Sequence, residues 1–545
     1  MPSATAFPPS ANVTPPSPGI RRYKKPILIV VIAVLLGAGC IIAFLFSRHW
    51  PFSQAEVLED LRESSDSQVK IQAFHETFFP SPGCVLQGVV FDHGPNEAKP
   101  IITIQKLTVQ GSYRGLLTSR ITRLIADGVH VLVPAFGTGT ALHTAKSKIT
   151  IGEVVANGAL VEFARKDGST PVRFDIHEAS LQNVGWSGPF AYRLKVHNPE
   201  PPGEVTTTGQ FGVWIQGNAG ETPISGEYKF EQADLSIYEG IAGKLSSTGK
   251  YEGKLSHIDI SGKTDTPDFE VRSGHHPTRL TTQFSAYVDA THGDTFLKHV
   301  EADFWRTHIV AEGSIAKSPN GKSKTAIIDL RSSNARIEDL LRLFVKAKRA
   351  PMSGNVTLQA RAEIPPGPQR FLEKVKLRGG FGIAEGAFSK PSTQEGINKL
   401  SAGARGEKDP SDPETVLTDL TGQVHLQDGI AHFPDLSFGV PGASARMHGS
   451  YDLINEKIDL RGQMQVESKI SNTESGAKAF LLKVMEPFFK KKKKGEIVPV
   501  RISGTYEHPS FGLDLNDAKA QKVAPPSDPP SKPPSSHPQA DRPNP

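Results

Sequence analysis

The sequence predicts a mainly β protein: an elongated antiparallel sheet bent into an open groove, behind an N-terminal transmembrane helix and with a few short helices. Three observations carry that expectation. Apolar and polar residues alternate with period two in run after run, the mark of half-buried strands. Turn-forming residues separate those runs, with 50 glycines and 43 prolines in 545 residues. Near the start, residues 26–46 carry no charge, and about 20 apolar residues suffice to cross a hydrocarbon core of about 30 Å.

Residues 1–25, rich in proline and serine up to residue 20, read as a disordered cytoplasmic lead. The apolar segment, taken as a transmembrane helix over 26–47, follows Arg21, Arg22, Lys24 and Lys25, whereas Arg48 alone lies just after it. That bias places the N-terminus in the cytoplasm and the remainder outside. A cleaved signal peptide is the competing reading; the apolar stretch is long for one, and no A-x-A site follows it. Next, "SQAEVLEDLRE" (53–63) predicts a short helix capped by Ser53, with Glu56 as its box partner.

Beyond that helix the period changes to two. "EKIDLRGQMQVES" (456–468) puts Ile458, Leu460, Gly462, Met464 and Val466 on one face. "GNVTLQARAEI" does the same with Val356, Leu358, Ala360, Ala362 and Ile364, and "VPVRISG" with Val498, Val500 and Ile502. Shorter runs occur in "TQFSAYVD" and "HIVAEGSI", with turn signals such as "SPNG", "PPG" and "QDG" between strands. Helical spacing returns only in "SNARIEDLLRLFVKAKRAP" (333–351) and "ESGAKAFLLKVMEPFFKKKKK" (474–494). Residues 516–545 read as a disordered, proline-rich tail. Sandwich cores favour bulky inward residues, yet aromatics make up only 8% here, and many inward positions are alanine or glycine. An open trough fits this pattern, as do sandwich domains in series.

Chemical signatures are weak. "AKSPNGKS" (316–323) loosely resembles a phosphate loop, but a strand-like run follows where a helix is needed, and Asn320-Gly321 favours a hairpin turn. "GTGTAL" (137–142) lacks the third glycine of a dinucleotide fingerprint. His275 and His276 are adjacent, without the spaced ligands of a zinc site, and no nucleophile elbow is present. Cys40 and Cys84 cannot build a disulfide framework. A net charge of +5 is too mild to imply nucleic acid. The chain is therefore read as non-catalytic, with no cofactor and no metal.

Two blocks carry a family resemblance. The first is "SDSQVKIQAFHETFFPSPGCVLQGVVF" (65–91), continued by "ITIQKLTVQGSYRGLLTSRITRLIADGVHVLVP" (102–134). The second is "LTDLTGQVHLQDGIAHFPDLSFGVPGASARMHGSYDLINEKIDLRGQMQVES" (417–468), closed by "VPVRISGTYEHPSFGLDL" (498–515). On these blocks the chain resembles the AsmA-like family of bacterial envelope proteins, which includes TamB and YhdP. The resemblance implies an N-terminal region over 53–135, a central β-groove over 136–350 and a C-terminal β region over 351–515. It further implies an inner-membrane anchor, a taco-like periplasmic groove, and a part in phospholipid transport between membranes or in outer-membrane maintenance. The alternative is a scaffold for outer-membrane protein assembly. Expected partners are phospholipids, the inner membrane and, as further candidates, the outer membrane and an envelope protein.

Groove-lining candidates are Val356, Leu358, Ile458, Leu460, Met464, Val466, Val500 and Ile502. About 25 strands over 100–515 at about 4.8 Å spacing would make a groove on the order of 100 Å long. Phe488, Phe489, Lys490, Lys491, Lys492, Lys493 and Lys494 are candidates for docking on an anionic membrane surface, each lysine contributing about 1 kcal/mol. A solvated linker between two groove strands is the competing reading of that run.

Overall fold

The structure, a computed structural model, describes residues 50–513 apart from 66, 93–101, 116–119, 134–149, 165–170, 186–187, 214, 216–217, 318–323, 368, 392, 395–397, 399–416, 442, 467–496 and 506–507. The apolar segment 26–47, the "GTGTAL" run, the second helical patch with its lysines, and the tail lie outside those residues. Among the described residues no helix is long and apolar enough to cross a membrane.

The chain opens with helix α1 (Gln54–Ser65). The Ser53 hydroxyl accepts from the Glu56 N–H at 3.4 Å, as the capping signal predicts. The Ser53 N–H instead donates to the Trp50 carbonyl at 3.1 Å, so Glu56 is not needed as the return arm of a box.

Strands then follow almost without interruption. The first eight are β1 (Gln68–Lys70), β2 (Ala73–Thr77), β3 (Gly83–Asp92), β4 (Ile102–Gln110), β5 (Arg120–Val133), β6 (Thr150–Phe163), β7 (Val172–Val184) and β8 (Phe190–Pro199). Next come β9 (Pro202–Phe211), β10 (Pro223–Asp234), β11 (Ile241–Ala242), β12 (Lys244–Lys254), β13 (His257–Val271), β14 (Thr278–Asp289), β15 (Asp294–Phe304), β16 (Thr307–Lys317) and β17 (Lys324–Arg336). After helix α2 (Ile337–Phe344) come β18 (Met352–Ile364), the short helix α3 (Phe371–Lys374), β19 (Lys376–Phe388), β20 (Thr418–Gln427) and β21 (Ile430–Val440). The last are β22 (Ala443–Asp452), β23 (Lys457–Val466), β24 (Ile497–Thr505) and β25 (Pro509–Leu513).

All belong to one 25-stranded sheet. β1 and β2 both pair with β3, and from there neighbours in sequence are neighbours in space, except that β10 pairs with β12 and β11 with β13. Pairing is antiparallel throughout apart from β5 with β6, which run parallel. That exception departs from the all-antiparallel expectation. Parallel neighbours need a crossover of a dozen or more residues, and the segment 134–149 between them is long enough. Elsewhere turn chemistry closes tight hairpins: Asp428 and Gly429 take φ of 52° and 76° between β20 and β21, the left-handed pair that two-residue hairpins require. β16 and β17 pair from Lys317 and Lys324 outward, so a strand and not a helix follows the "AKSPNGKS" run. β25 pairs only with β24, and β1 and β2 only with β3, so among the described residues nothing closes the sheet into a barrel.

The helix expected over 333–351 is shorter in the structure. Residues up to Arg336 stay in β17 because their backbone groups are claimed by β18, through Ala335 opposite Val356 and Arg336 opposite Asn355. α2 then lies across strand ends. The buried Asp339 carboxylate accepts from the Arg306 N–H and the Thr307 hydroxyl, both at 3.0 Å, and Arg342 stacks 4.6 Å over the Trp305 ring. α3 was not anticipated; its Phe371 sits directly against Gly240, where an added Cβ would overlap the phenylalanine's own Cβ.

Two apolar clusters are buried. One joins α1 to the first strands through Trp50, Phe52, Val57, Leu86, Val89 and Leu107. The other spans β17 to β24.

Candidate functional site

One face of the sheet is mainly apolar among the described residues. Residues directly opposite on neighbouring strands point to the same face, so the register can be followed strand by strand. It begins with Val69 opposite Phe91, and continues with Leu86 opposite Leu107 and Leu107 opposite Ala126. In the middle it runs from Phe284 to Val300, Val300 to Ala311, Ala311 to Leu330 and Leu330 to Ala360. At the far end Met447 opposes Gly462, and Gly462 opposes Val500.

The face is not uniform. At its two ends the residues are packed shut in the two clusters, whereas between β6 and β17 most apolar residues of this face, including Phe284, Val300 and Leu330, are half-buried. Ile315 is 41% exposed. Across β8 to β14 the lining becomes partly hydroxylic. Tyr192 and Tyr251 share a hydrogen bond through their hydroxyls, Thr207 meets Tyr251 at 2.6 Å, Tyr228 meets Ser247 at 3.0 Å, and Thr264 meets Thr282 at 2.7 Å. Glycines make room for these rings: a Cβ on Gly209 or Gly226 would come within 2.7 Å of a tyrosine hydroxyl. Burial, then the bond to Tyr251, raises the Tyr192 phenol well above its ordinary pKa, and burial raises Tyr228. Those two phenols therefore stay neutral.

The opposite face is charged and solvated. Cross-strand ion pairs run along it, among them Arg123–Glu153, Lys250–Glu227, Arg279–Asp265 and Arg501–Asp459. Each contributes at most about 1 kcal/mol; together they mark this face as wet.

Of the eight groove-lining candidates, six meet in one cluster. Val356, Leu460 and Met464 are buried there, and Ile458, Val500 and Ile502 pack against them. Leu358 shares their face and is half-buried but lies outside the cluster. Val466 is the last residue of β23, opposite Ala443. Leu460 and Met464 are 7% and 4% exposed, so they serve as core, and the accessible lining lies at mid-sheet residues that single-strand patterning did not single out. Phe488 to Lys494 fall outside the described residues.

His275 and His276 diverge: one faces Glu270 at 3.2 Å and the other the Ala347 carbonyl at 3.1 Å. A different grouping occurs on the wet face, where His177, His197 and Glu204 come together from β7, β8 and β9. They are 20 and 7 residues apart in sequence, with no short motif to flag them. A cleft of about 620 Å³ lies where the β10–β12 connection, α3 and the β22–β23 turn meet, lined by Arg272, Phe344, Arg370, Phe371 and Ile454.

Comparison of the chain with family models, with curated proteins and with solved structures finds no match.

Proposed function

We propose that this chain is a non-catalytic carrier of phospholipid, holding acyl chains against the apolar face of its sheet while headgroups remain in water. The observation that supports this best is the register of apolar residues Phe284, Val300, Ala311 and Leu330 along one face of β14 to β17, each half-buried and open to solvent. Each methylene moved from water onto such a surface gains about 0.8 kcal/mol. From β14 to β17 the lining offers no fixed polar anchor and so holds no single pose, and a chain can slide along it.

The reading includes a sheet curled into a groove. A rotation of about 20–25° between adjacent strands would turn the strand direction by about 140–175° over the seven intervals from β12 to β19. The contact between Gly240, at one end of β12, and Phe371, at the opposite end of β18, supports such coiling, since a flat sheet would hold those connections about 50 Å apart, six strand spacings across and one strand length along.

Membrane anchoring and a periplasmic location rest on the uncharged segment 26–46 and its flanking charges. Phe78, 55% exposed, packs against Trp50, four residues past that segment, and its neighbour Phe79 is 88% exposed. Aromatic rings in such a position suit the headgroup level of a bilayer. Resemblance to the AsmA-like family gives the proposal its place: anchored in the inner membrane of a bacterium, moving phospholipid toward the outer membrane or maintaining that membrane. A second reading, assembly of outer-membrane proteins, draws on the edge of β25 that no described strand pairs with, where a client strand can add.

Photocrosslinking amino acids at Phe284 and Val300 in cells test the proposal. Phospholipid adducts are expected at both and not at Gln283, which points to the wet face. Equal or absent labelling at all three would remove the carrier reading, and a β-barrel protein trapped at β25 without lipid would favour the second.

A further inference from the structure

We infer that His177, His197 and Glu204 form a zinc site on the wet face of β7, β8 and β9, independent of the lipid reading. His197 and Glu204 are direct cross-strand partners, and His197 Nδ1 lies 2.8 Å from Glu204 Oε1. His177 reaches the same carboxylate, its Nε2 3.5 Å from Oε2. One ligand atom from each residue lies within 4.8 Å of the others.

A local irregularity makes the third ligand available. The pairing of β7 with β8 slips between Ile176 and Glu178, so His177 is the inserted residue of a β-bulge. Bulges re-aim a side chain, and here the bulge turns His177 toward His197, the two rings 6.5 Å apart and inclined at 66°.

Two histidines and a carboxylate are a ligand set that zinc takes with a water in the fourth position. Zinc bonds of about 2.0–2.2 Å in tetrahedral geometry set neighbouring donors about 3.4 Å apart, close to the spacings present. Glu204 Oε2 is buried and has no hydrogen-bond partner among the described residues. Such an oxygen, with only the His177 ring at 3.5 Å beside it among the described residues, is satisfied by a cation. The histidine side chains are 51% and 41% exposed, so an ion enters from solvent and a water completes the shell. Bound there, zinc cross-links three neighbouring strands on the face opposite Ile176, Val196 and Val205, and so fixes the apolar face behind it.

The test titrates the full-length protein, in detergent and stripped with chelator, with Zn²⁺ and with Co²⁺. One equivalent of zinc is expected at micromolar free concentration, with a visible spectrum of tetrahedral cobalt. His197→Ala, His177→Gln and Glu204→Gln should each weaken binding at least tenfold. His308→Ala, which removes a histidine paired only with Asp303, should leave it unchanged. Wild-type protein that binds no zinc, or only octahedral cobalt, overturns the assignment, as do ligand variants that bind as tightly as wild type. Should one variant fail to fold, the other two and the wild-type cobalt spectrum still decide.

Discussion

Gly240 offers a direct test of whether distant parts of the sheet touch. It adopts φ of +100°, and a Cβ there would overlap Phe371 of α3. Replacing it by alanine has two costs. Holding an L-residue at that φ costs about 1–3 kcal/mol, and this falls on the β10–β12 connection. The overlap costs about 1–3 kcal/mol more, as overpacking generally does, and this falls on α3 as well. Taking about 2 kcal/mol for the shared part, α3 should open roughly thirtyfold more often. Hydrogen exchange followed by mass spectrometry reads this at the Glu373, Lys374 and Val375 amides, whose bonds to Arg370 and Phe371 hold the helix. Gly243 is the control. It belongs to the same connection, at φ +134°, but its Cβ would meet Thr266 and Phe269 of the neighbouring strand. Gly243→Ala should therefore strain the connection and leave α3 exchange untouched. If Gly240→Ala leaves α3 exchange unchanged, or if both variants speed it alike, the contact does not exist and the argument for a coiled sheet goes with it.

Other outcomes follow from the packing. Leu460→Ala should cost about 2–5 kcal/mol in urea unfolding, because Leu460 sits in the closed cluster; a cost below about 1 kcal/mol, typical of surface sites, would mean the cluster is open to solvent. Burial pushes the Cys84 thiol up to about 12, so in a Cys40→Ser background native protein at pH 8 should resist maleimide until it unfolds; fast labelling would show that the first strands do not pack as described. Asp339→Ala strips the Arg306 N–H and the Thr307 hydroxyl of a buried acceptor, a loss of about 1–3 kcal/mol that should loosen α2 in the same exchange experiment, with Asp339→Asn recovering part of it.

Much of the strand content was legible because period-two alternation is a local property. The runs through Val356, Ile458 and Val500 became β18, β23 and β24, and Asp428-Gly429 became the turn its chemistry dictates. The capping serine of α1 was equally local. What escaped were consequences of pairing. Ser333 to Arg336 carry a helical signal yet stay in β17, since β18 pairs with Ala335 and Arg336 beyond a slip in register. Leu460 and Met464 read as lining, but burial depends on what faces them. His177 stands in an ordinary alternating strand; only a slipped register brings it to His197 and Glu204.

By itself, then, the sequence determined which side of each strand is greasy, where the chain turns, and that an uncharged segment precedes the strands. Side-chain order along one strand is fixed by the pleat, so these features need no neighbour. The tertiary structure alone decided which greasy positions are sealed and which stay open, which strands run parallel, and which polar groups meet across the wet face. Those outcomes depend on register between segments far apart in the chain, and a one-residue slip changes them without altering any local pattern.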